Sequence, residues 1–388
     1  MHSTLITRIK KGLRIALRPL LPIIRSIRIR PTIVYAKKQA DALYSDGGIS
    51  VCYLTNQFPA RPALRTELTH GGAVKLTFLA ESFPHSYPRA SLLYTVSSID
   101  HVAKAIIINT ARNKGIKIVL NQNGVAYPAW KGPGWEEINR NMRTVYEQSD
   151  FVIFQSEFCR LGAEKFLGKC NVPSKILYNP IDLDLYRPAK QPISHQAPIL
   201  LLGGNQFSVY RLEVAAQVLR QLIQYLPASR LIITGRLWGE NQALSTREAT
   251  LILEKLGVME QVEFTGKYSQ QDAAQIFQRA DILIHTKYND PSPTLIGEAL
   301  ACGLPVVYSA SGGLPELVGP DAGIGIPVGK SWEKINTPDP IKMAEAIQLV
   351  WEKHTKFGEA ARQFAEEKFP LKKYVQAHQN IFAQLLEH

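Results

Sequence analysis

The sequence predicts an α/β protein: two Rossmann-like, doubly wound parallel-sheet halves facing each other across a cleft, with further helices at the C-terminal end. Three observations lead there. From residue 48 onward, short apolar runs alternate with amphipathic stretches, the rhythm of parallel strands joined by helical crossovers. That alternation occurs twice, and a polar, proline-bearing stretch separates the two series. A chain of 388 residues with 45% hydrophobic content is long enough for two cores.

The first series places strands at 50–55, 91–97, 117–121, 151–155 and 175–178, with helices near 72–83, 101–114, 135–148 and 158–167. The stretch 179–198 reads as a linker. The second series places strands at 199–202, 230–234, 262–265, 281–285 and 305–308. Its helices fall near 210–226, 245–256, 270–279, 293–302 and 314–318, and the chain is helical from about 338 onward. No internal repeat interrupts this order. The predicted divisions are a basic leader over 1–40, an N-terminal half over 41–185 and a C-terminal half over 186–388, whose last helix packs back on the N-terminal half. Folds of this kind bind ligands at the carboxyl ends of the strands.

The net charge of +12 is concentrated in the leader. Residues 1–40 hold ten Lys/Arg and no acid, leaving 35 basic and 33 acidic groups for the rest. A nucleic-acid binder spreads basic groups and stacking aromatics over a folded face, so nucleic acid is not the expected partner. In the leader, Leu5, Ile9, Leu13, Leu17, Leu20, Ile24 and Ile27 recur at helical spacing with basic residues between them. This is the pattern of a helix lying on an anionic membrane surface through residues 1–30. Charges break every apolar run, so it is not a span, and no cleavage site follows it. Pro19 and Pro22 are expected to divide the helix. The competing reading is a helix packed on the protein's own body or a basic arm. Cys52, Cys159, Cys170 and Cys302 form no CxxC pair and no zinc spacing, as expected of thiols in a reducing compartment.

The chemistry concentrates in the stretch from Asn289 to Gly319, NDPSPTLIGEALACGLPVVYSASGGLPELVG, which carries two acids, Asp290 and Glu298, around a helix start. Ser292 is read as the N-cap and Pro293 as the first helical residue. The amides of Thr294, Leu295 and Ile296 then lack intrahelical partners. A free helix N-terminus after a strand is an anion site, contributing roughly 0.3–2 kcal/mol. Carboxylates flanking that site repel phosphate, so they serve as acceptors for hydroxyls. A diphosphate with hydroxyls on both sides describes a nucleotide sugar.

Asp290-x7-Glu298, Ala299-Leu-Ala-Cys-Gly303-Leu-Pro305-Val and Gly312-Gly313-Leu-Pro315-Glu316 resemble the signature of retaining GT-B glycosyltransferases of family 4. YNPIDLDLYRP, LIITGR, VEFTGKY and AQIFQRADILIH extend the resemblance over about residues 48–388. The resemblance implies that Glu298 holds the ribose hydroxyls and that Asp290 contacts the donor sugar. The family carries an Arg and a Lys on the diphosphate. Here the Arg position is Gly204 or Asn205, Arg211 stands in for the Lys, and Arg236 is a second cation within reach; the alternative for each cation is a surface charge. Lys267, within the segment 266–268, joins the donor-binding candidates, where the base is recognised by backbone. In the N-terminal half, His70-Gly71-Gly72 precedes a helix, where adjacent glycines let backbone approach a ligand; the family has a comparable glycine loop facing the diphosphate, and the competing reading is a plain turn. The family's sugar-side His is absent, and Asn123 takes its place. Tyr127 and Trp130 line an acceptor site or are buried aromatics, and His101 and His285 are read as structural. GxGxxG is absent and there is no convincing DxD between strands, so neither hydride transfer nor metal-dependent GT-A chemistry is expected.

The resulting expectation is a glycosyltransferase moving a hexose from a nucleotide-diphosphate sugar to a membrane-associated glycan or lipid-linked acceptor. The resemblance implies retention of configuration by front-side displacement, without essential metal or other cofactor. The expected location is cytoplasmic, peripheral on the inner face of the plasma membrane. The alternatives are a GT-B epimerase or phosphorylase, and a non-catalytic nucleotide-sugar-binding subunit on a membrane.

Overall fold

Two sheets with every pairing parallel form the frame of the protein. The computed structural model describes residues 21–64, 67, 72, 74–190 and 195–387, with the backbone alone at 21–29 and 270–271. The first sheet holds β1 (Val51–Leu54), β2 (Leu92–Val96), β3 (Lys117–Gln122), β4 (Phe151–Phe154) and β5 (Ser174–Ile176), adjacent in that order. Strands β1, β2 and β4 are buried along their whole length, so both of their faces must be apolar; this is why they read as unbroken hydrophobic runs. One face packs Cys52, Leu93, Leu120 and Phe154 against the helices Lys104–Asn113, Trp135–Glu147 and Glu157–Phe166. The other packs Tyr53, Tyr94 and Ile153 against the helices Val74–Ser82 and Leu371–Leu386 through Leu76, Leu79, Ile381 and Phe382. The Tyr94 hydroxyl and His378 Nε2, 3.1 Å apart, tie the last helix to the middle of this sheet.

The second sheet runs β11-β10-β9-β6-β7-β8. Its strands are β6 (Ile199–Leu202), β7 (Arg230–Thr234), β8 (Val262–Gly266), β9 (Ile282–His285), β10 (Val306–Ala310) and β11 (Gly323–Pro327). Helices Val209–Leu222 and Pro340–Glu352 cover one face; Thr294–Ala301 and His354–Lys368 cover the other. The order reverses between β6 and β9, so the ends of these two strands open a crevice. Strand β11 is absent from the sequence expectation. Its Gly323 lies so close to β10 that a Cβ would come within 2.0 Å of the Val306 carbonyl oxygen, and glycine-rich GIGIP carries no strand pattern.

The helix Leu21–Asp41 runs past the expected end of the leader at residue 40. Pro22 lies in its first described turn, and Pro31 lies inside it without ending it. A proline is tolerated in a first turn because the missing N–H has no intrahelical partner there. Ala36, Ala40 and Leu43 are buried in the first core, with Ile33 packed beside them. The boundary drawn at 40/41 therefore falls inside a helix that belongs at its far end to the N-terminal domain. Pro19 and the first 20 residues lie outside the described residues.

Candidate active site

The site assembles where β6 and β9 end. β9 leads through His285 and Lys287 to Asp290, and the helix Thr294–Ala301 follows. Pro293, with φ −72 and ψ 125, is the cap residue, and Thr294 opens the helix. The expectation that Ser292 caps it is thus displaced by one residue, because the extended ψ of Pro293 keeps it outside the helix. Ser292 reaches across the cleft instead. Its hydroxyl donates to the Gln155 carbonyl oxygen at 3.3 Å, and its own carbonyl accepts from Asn179 Nδ2 at 3.0 Å.

Asp290 is buried, with Lys287 Nζ 2.8 Å from Oδ1 and His285 Nε2 3.0 Å from Oδ2. Burial alone raises a carboxyl pKa, but the Lys287 ammonium and the His285 imidazole outweigh it and hold Asp290 well below the usual range. Burial also depresses His285, against the pull of Asp290. His285, read from the sequence as structural, therefore orients a site carboxylate. Glu298, one turn into the helix, is partly buried. Burial pushes its carboxyl up to about 7, opposed by a hydrogen bond with the Tyr186 hydroxyl.

The loop after β6 closes the other wall. A Cβ on Gly203 would come within 2.7 Å of the Leu295 side chain, so that side chain fills the space under the loop. Gly204 has φ +76, donates its amide to Thr234 Oγ1 at 2.9 Å, and accepts from Gln206 Nε2 through its carbonyl at 2.8 Å. Asn205 Oδ1 accepts from the Arg236 amide at 2.8 Å. Arg211 is buried, and its guanidinium turns back under the loop, donating to the carbonyls of Asn205 at 2.7 Å and Gly203 at 3.2 Å. Arg211 thereby braces the loop. Arg236, whose amide is held by Asn205, and Lys267 are exposed.

From the N-terminal domain, Gly72 lies against Ser98 and Asn123; a Cβ there would meet Ser98 Oγ at 2.4 Å. His70 and Gly71 lie outside the described residues. Asn123 is fully engaged: Nδ2 donates to Ser98 Oγ at 2.8 Å, and Oδ1 accepts from Lys75 Nζ at 2.9 Å and from Gln155 Nε2. Lys75 also donates to Asn121 Oδ1 at 3.2 Å, and burial pushes its ammonium down to about 7. Sequence reasoning passed over Lys75, although a lysine inside the apolar run VKLTFL was the available signal. Gln155 continues through Asn179 to Ser292, so one chain of hydrogen bonds runs from Lys75 to the start of the helix at Thr294. Tyr127 donates to the Asn289 carbonyl oxygen at 3.3 Å, and Ser156 Oγ donates to that of Pro291 at 2.7 Å.

Asp290, Glu298, Ser292, Thr294, Leu295, Gly204, Asn205 and Arg211 thus come from the C-terminal domain, facing Gly72, Asn123 and Tyr127. Two acceptor carboxylates flank a helix N-terminus at a switch point. The arrangement suits an anion with hydroxyls on either side.

Comparison with known proteins agrees with this geometry. Residues 187–364 match the family model for Glycosyl transferases group 1. D-inositol 3-phosphate glycosyltransferase of Mycobacterium leprae (strain Br4923) is 32% identical over 151 residues, covering 38% of this chain. The match spans 35% of that relative's length. N-acetyl-alpha-D-glucosaminyl L-malate synthase of Bacillus anthracis is 26% identical over 306 residues, covering 76% of this chain and 75% of the relative. Among solved structures, Anabaena Alr3699/HepE in complex with UDP and glucose aligns with a TM-score of 0.60 at 19% identity, covering 76% of this chain and 77% of that one. Sucrose-phosphate synthase from Thermosynechococcus elongatus aligns with a TM-score of 0.63 at 18% identity, covering 81% and 77%. These likenesses establish two parallel-sheet domains of GT-B type.

Proposed function

We infer, with residues 187–364 belonging to glycosyl transferases group 1 as the premise, that this glycosyltransferase moves a hexose from a nucleotide-diphosphate donor to an acceptor hydroxyl with retention of configuration. The observation that carries the reading is the placement of Asp290 and Glu298 on either side of the helix start at Thr294, where β6 and β9 part. In this reading the diphosphate lies at the helix amides and the glycine loop at Gly204. Glu298 accepts from the ribose hydroxyls, and Asp290 accepts from the hexose. The bond from the sugar's anomeric carbon to phosphate breaks, the bond to the acceptor oxygen forms on the same face, and the acceptor's proton passes to the leaving phosphate. Helix amides, with Arg236 and Lys267, offset the leaving charge without a metal. Neighbours solved with UDP and UDP-glucose support a uridine donor as the first to test.

The test is calorimetric titration with UDP, GDP, ADP and CDP, first in EDTA and then with magnesium. Tight binding of one nucleotide in EDTA is the expected result. Binding only with magnesium would remove the metal-free reading, and no binding to any of the four would remove the donor site itself. One observation favours a second reading, a donor-binding subunit without turnover: the Arg211 guanidinium is committed to loop carbonyls. That reading predicts nucleotide binding with no product from any acceptor.

We place the acceptor at a membrane, in keeping with the ten basic residues of 1–40 and with exposed Val34 and Tyr35 on the described helix. No helix among the described residues is long and apolar enough to cross a bilayer. Co-sedimentation with phosphatidylserine vesicles but not with neutral ones is expected, weakening with salt. Equal partitioning to both would defeat the electrostatic part of this reading.

A further inference from the structure

Beside Asp290 lies a cavity of about 210 Å³ between the two domains. Its inner walls are Val125, Tyr127, Trp130, Met142, Phe158 and Trp332. The polar atom of its most buried ring is already engaged: the Tyr127 hydroxyl donates to the Asn289 carbonyl oxygen. Trp332 comes from the C-terminal domain. It packs edge-on to Tyr127 at 4.8 Å and stacks on Phe158 at 4.8 Å, and its carbonyl accepts from the Ala129 amide at 2.9 Å. Gly162 leaves room for this ring, since a Cβ there would meet Trp332 at 3.4 Å and Val125 at 3.2 Å. The polar side chains of the lining include Ser97, Ser98, Asn123, Lys287 and Asp290.

We propose that this cavity selects the acceptor: it takes a ring-sized apolar group carried next to the acceptor's reacting hydroxyl. The proposal rests on the donor reading above, which puts the transferred sugar at Asp290. A dry apolar cavity of about 150 Å³ already accommodates a benzene ring, so the volume here suits one ring with its linking carbon. A second sugar is the wrong occupant. It carries hydroxyls around its rim, and against these walls several would lose water without gaining a hydrogen bond, at a cost of about 1–3 kcal/mol each by general experience of buried polar groups. The hydroxyl that reacts is held beside Asp290, and the ring attached to it lies against the paired rings of Tyr127 and Trp332. Since the two rings belong to different domains, the cavity is complete only in the closed cleft.

The test uses the full chain saturated with UDP, probed with benzyl alcohol and, separately, glycerol by saturation-transfer NMR. Benzyl alcohol is expected to show saturable transfer and glycerol none. Trp130→Ala, at an exposed position, and Gly162→Val, which fills the cavity, are each expected to weaken benzyl alcohol binding about fivefold or more, with UDP affinity unchanged. Equal transfer to both probes, or benzyl alcohol binding indifferent to both substitutions, would overturn the proposal. Failure of the donor reading shows separately, as no binding of any nucleoside diphosphate in the preceding titration, and it would take this proposal with it.

Discussion

The carboxylate of Glu316 caps a helix in the opposite domain, accepting from the amides of Glu157 at 2.9 Å and Phe158 at 3.1 Å. The Tyr178 hydroxyl donates to the same carboxylate at 3.0 Å. A residue of the GGLPE segment thereby satisfies orphan donors at the start of the helix Glu157–Phe166 and holds the cleft shut. Glu316→Ala removes a cap contributing about 0.5–2 kcal/mol. The expected outcome is a larger radius of gyration by small-angle scattering in the absence of nucleotide, reversed by saturating donor. An unchanged radius would mean that the other cross-cleft bonds suffice.

Glu298 gives a pH dependence with a definite sign. Its carboxyl is pushed up to about 7 in the free protein, and in the proposed donor site ribose hydroxyls would bind the ionised form. Donor affinity should therefore rise as pH increases through about 7, and binding near neutrality should release a proton. Calorimetry in two buffers of different ionisation enthalpy reads that proton directly. Glu298→Gln should abolish the release and weaken nucleotide binding about tenfold or more, as expected for hydrogen bonds to a charged group. Proton uptake in its place would contradict the assignment.

Asp290 works in the other direction. Lys287 and His285 hold its carboxyl low despite burial, so it stays ionised through the ordinary range. Lys287→Met removes the largest favourable charge and lets the pKa climb. The acidic limb of kcat/KM should then move to higher pH, with activity at alkaline pH less affected. A limb that stays where it is would mean that His285 alone fixes the ionised form.

Lys75 should mark stability itself. Burial brings it to about 7 in the folded protein, below the ordinary lysine value of 10.5, so between these values the unfolded chain holds a proton that the folded chain has lost. Stability must then rise with pH over that interval, by up to about 1.4 kcal/mol per unit. Lys75→Met should flatten the rise between pH 7 and 9 in urea unfolding. Parallel curves for the two proteins would show that the lysine keeps its charge by taking in water.

Gly313→Ala tests how tightly the acid loop is held. The new Cβ would fall 2.1 Å from the Pro291 carbonyl oxygen, the same oxygen that accepts from Ser156. The loop carrying Asp290 must shift, and turnover should fall about a hundredfold, as misplacement near 1 Å can do. Circular dichroism should remain that of the parent. Full activity would show that Asp290 need not be fixed.

The two halves, their strands and the acid-flanked helix start were legible because each depends on local pattern: apolar runs for buried strands, and a proline beside small polar residues for a helix start. Lys75, Gln155, Asn179 and Glu316 were not read as site residues. Their roles arise from partners up to 159 positions away in the chain, and such pairing leaves no local period. Arg211 shows another kind of gap. Sequence places a cation in the first turn after β6, but whether its guanidinium points out to the cleft or back under the loop is decided by the carbonyls of Gly203 and Asn205. The Ser292 cap was misplaced by one residue because proline accepts both the cap conformation and the first helical one.

The return of the last helix to the first sheet sets an order of events in the cell. Tyr94 meets His378 across 284 positions of sequence, so one face of β1 to β4 has only the helix Val74–Ser82 on it until almost all of the chain described here has left the ribosome. The early half must wait, with that face only partly covered and open to other hydrophobic surfaces, for the distant segment Leu371–Leu386. A nascent chain stalled before Leu371 should therefore attract chaperones that a completed one sheds, and synthesis rate becomes a variable in the yield of folded protein.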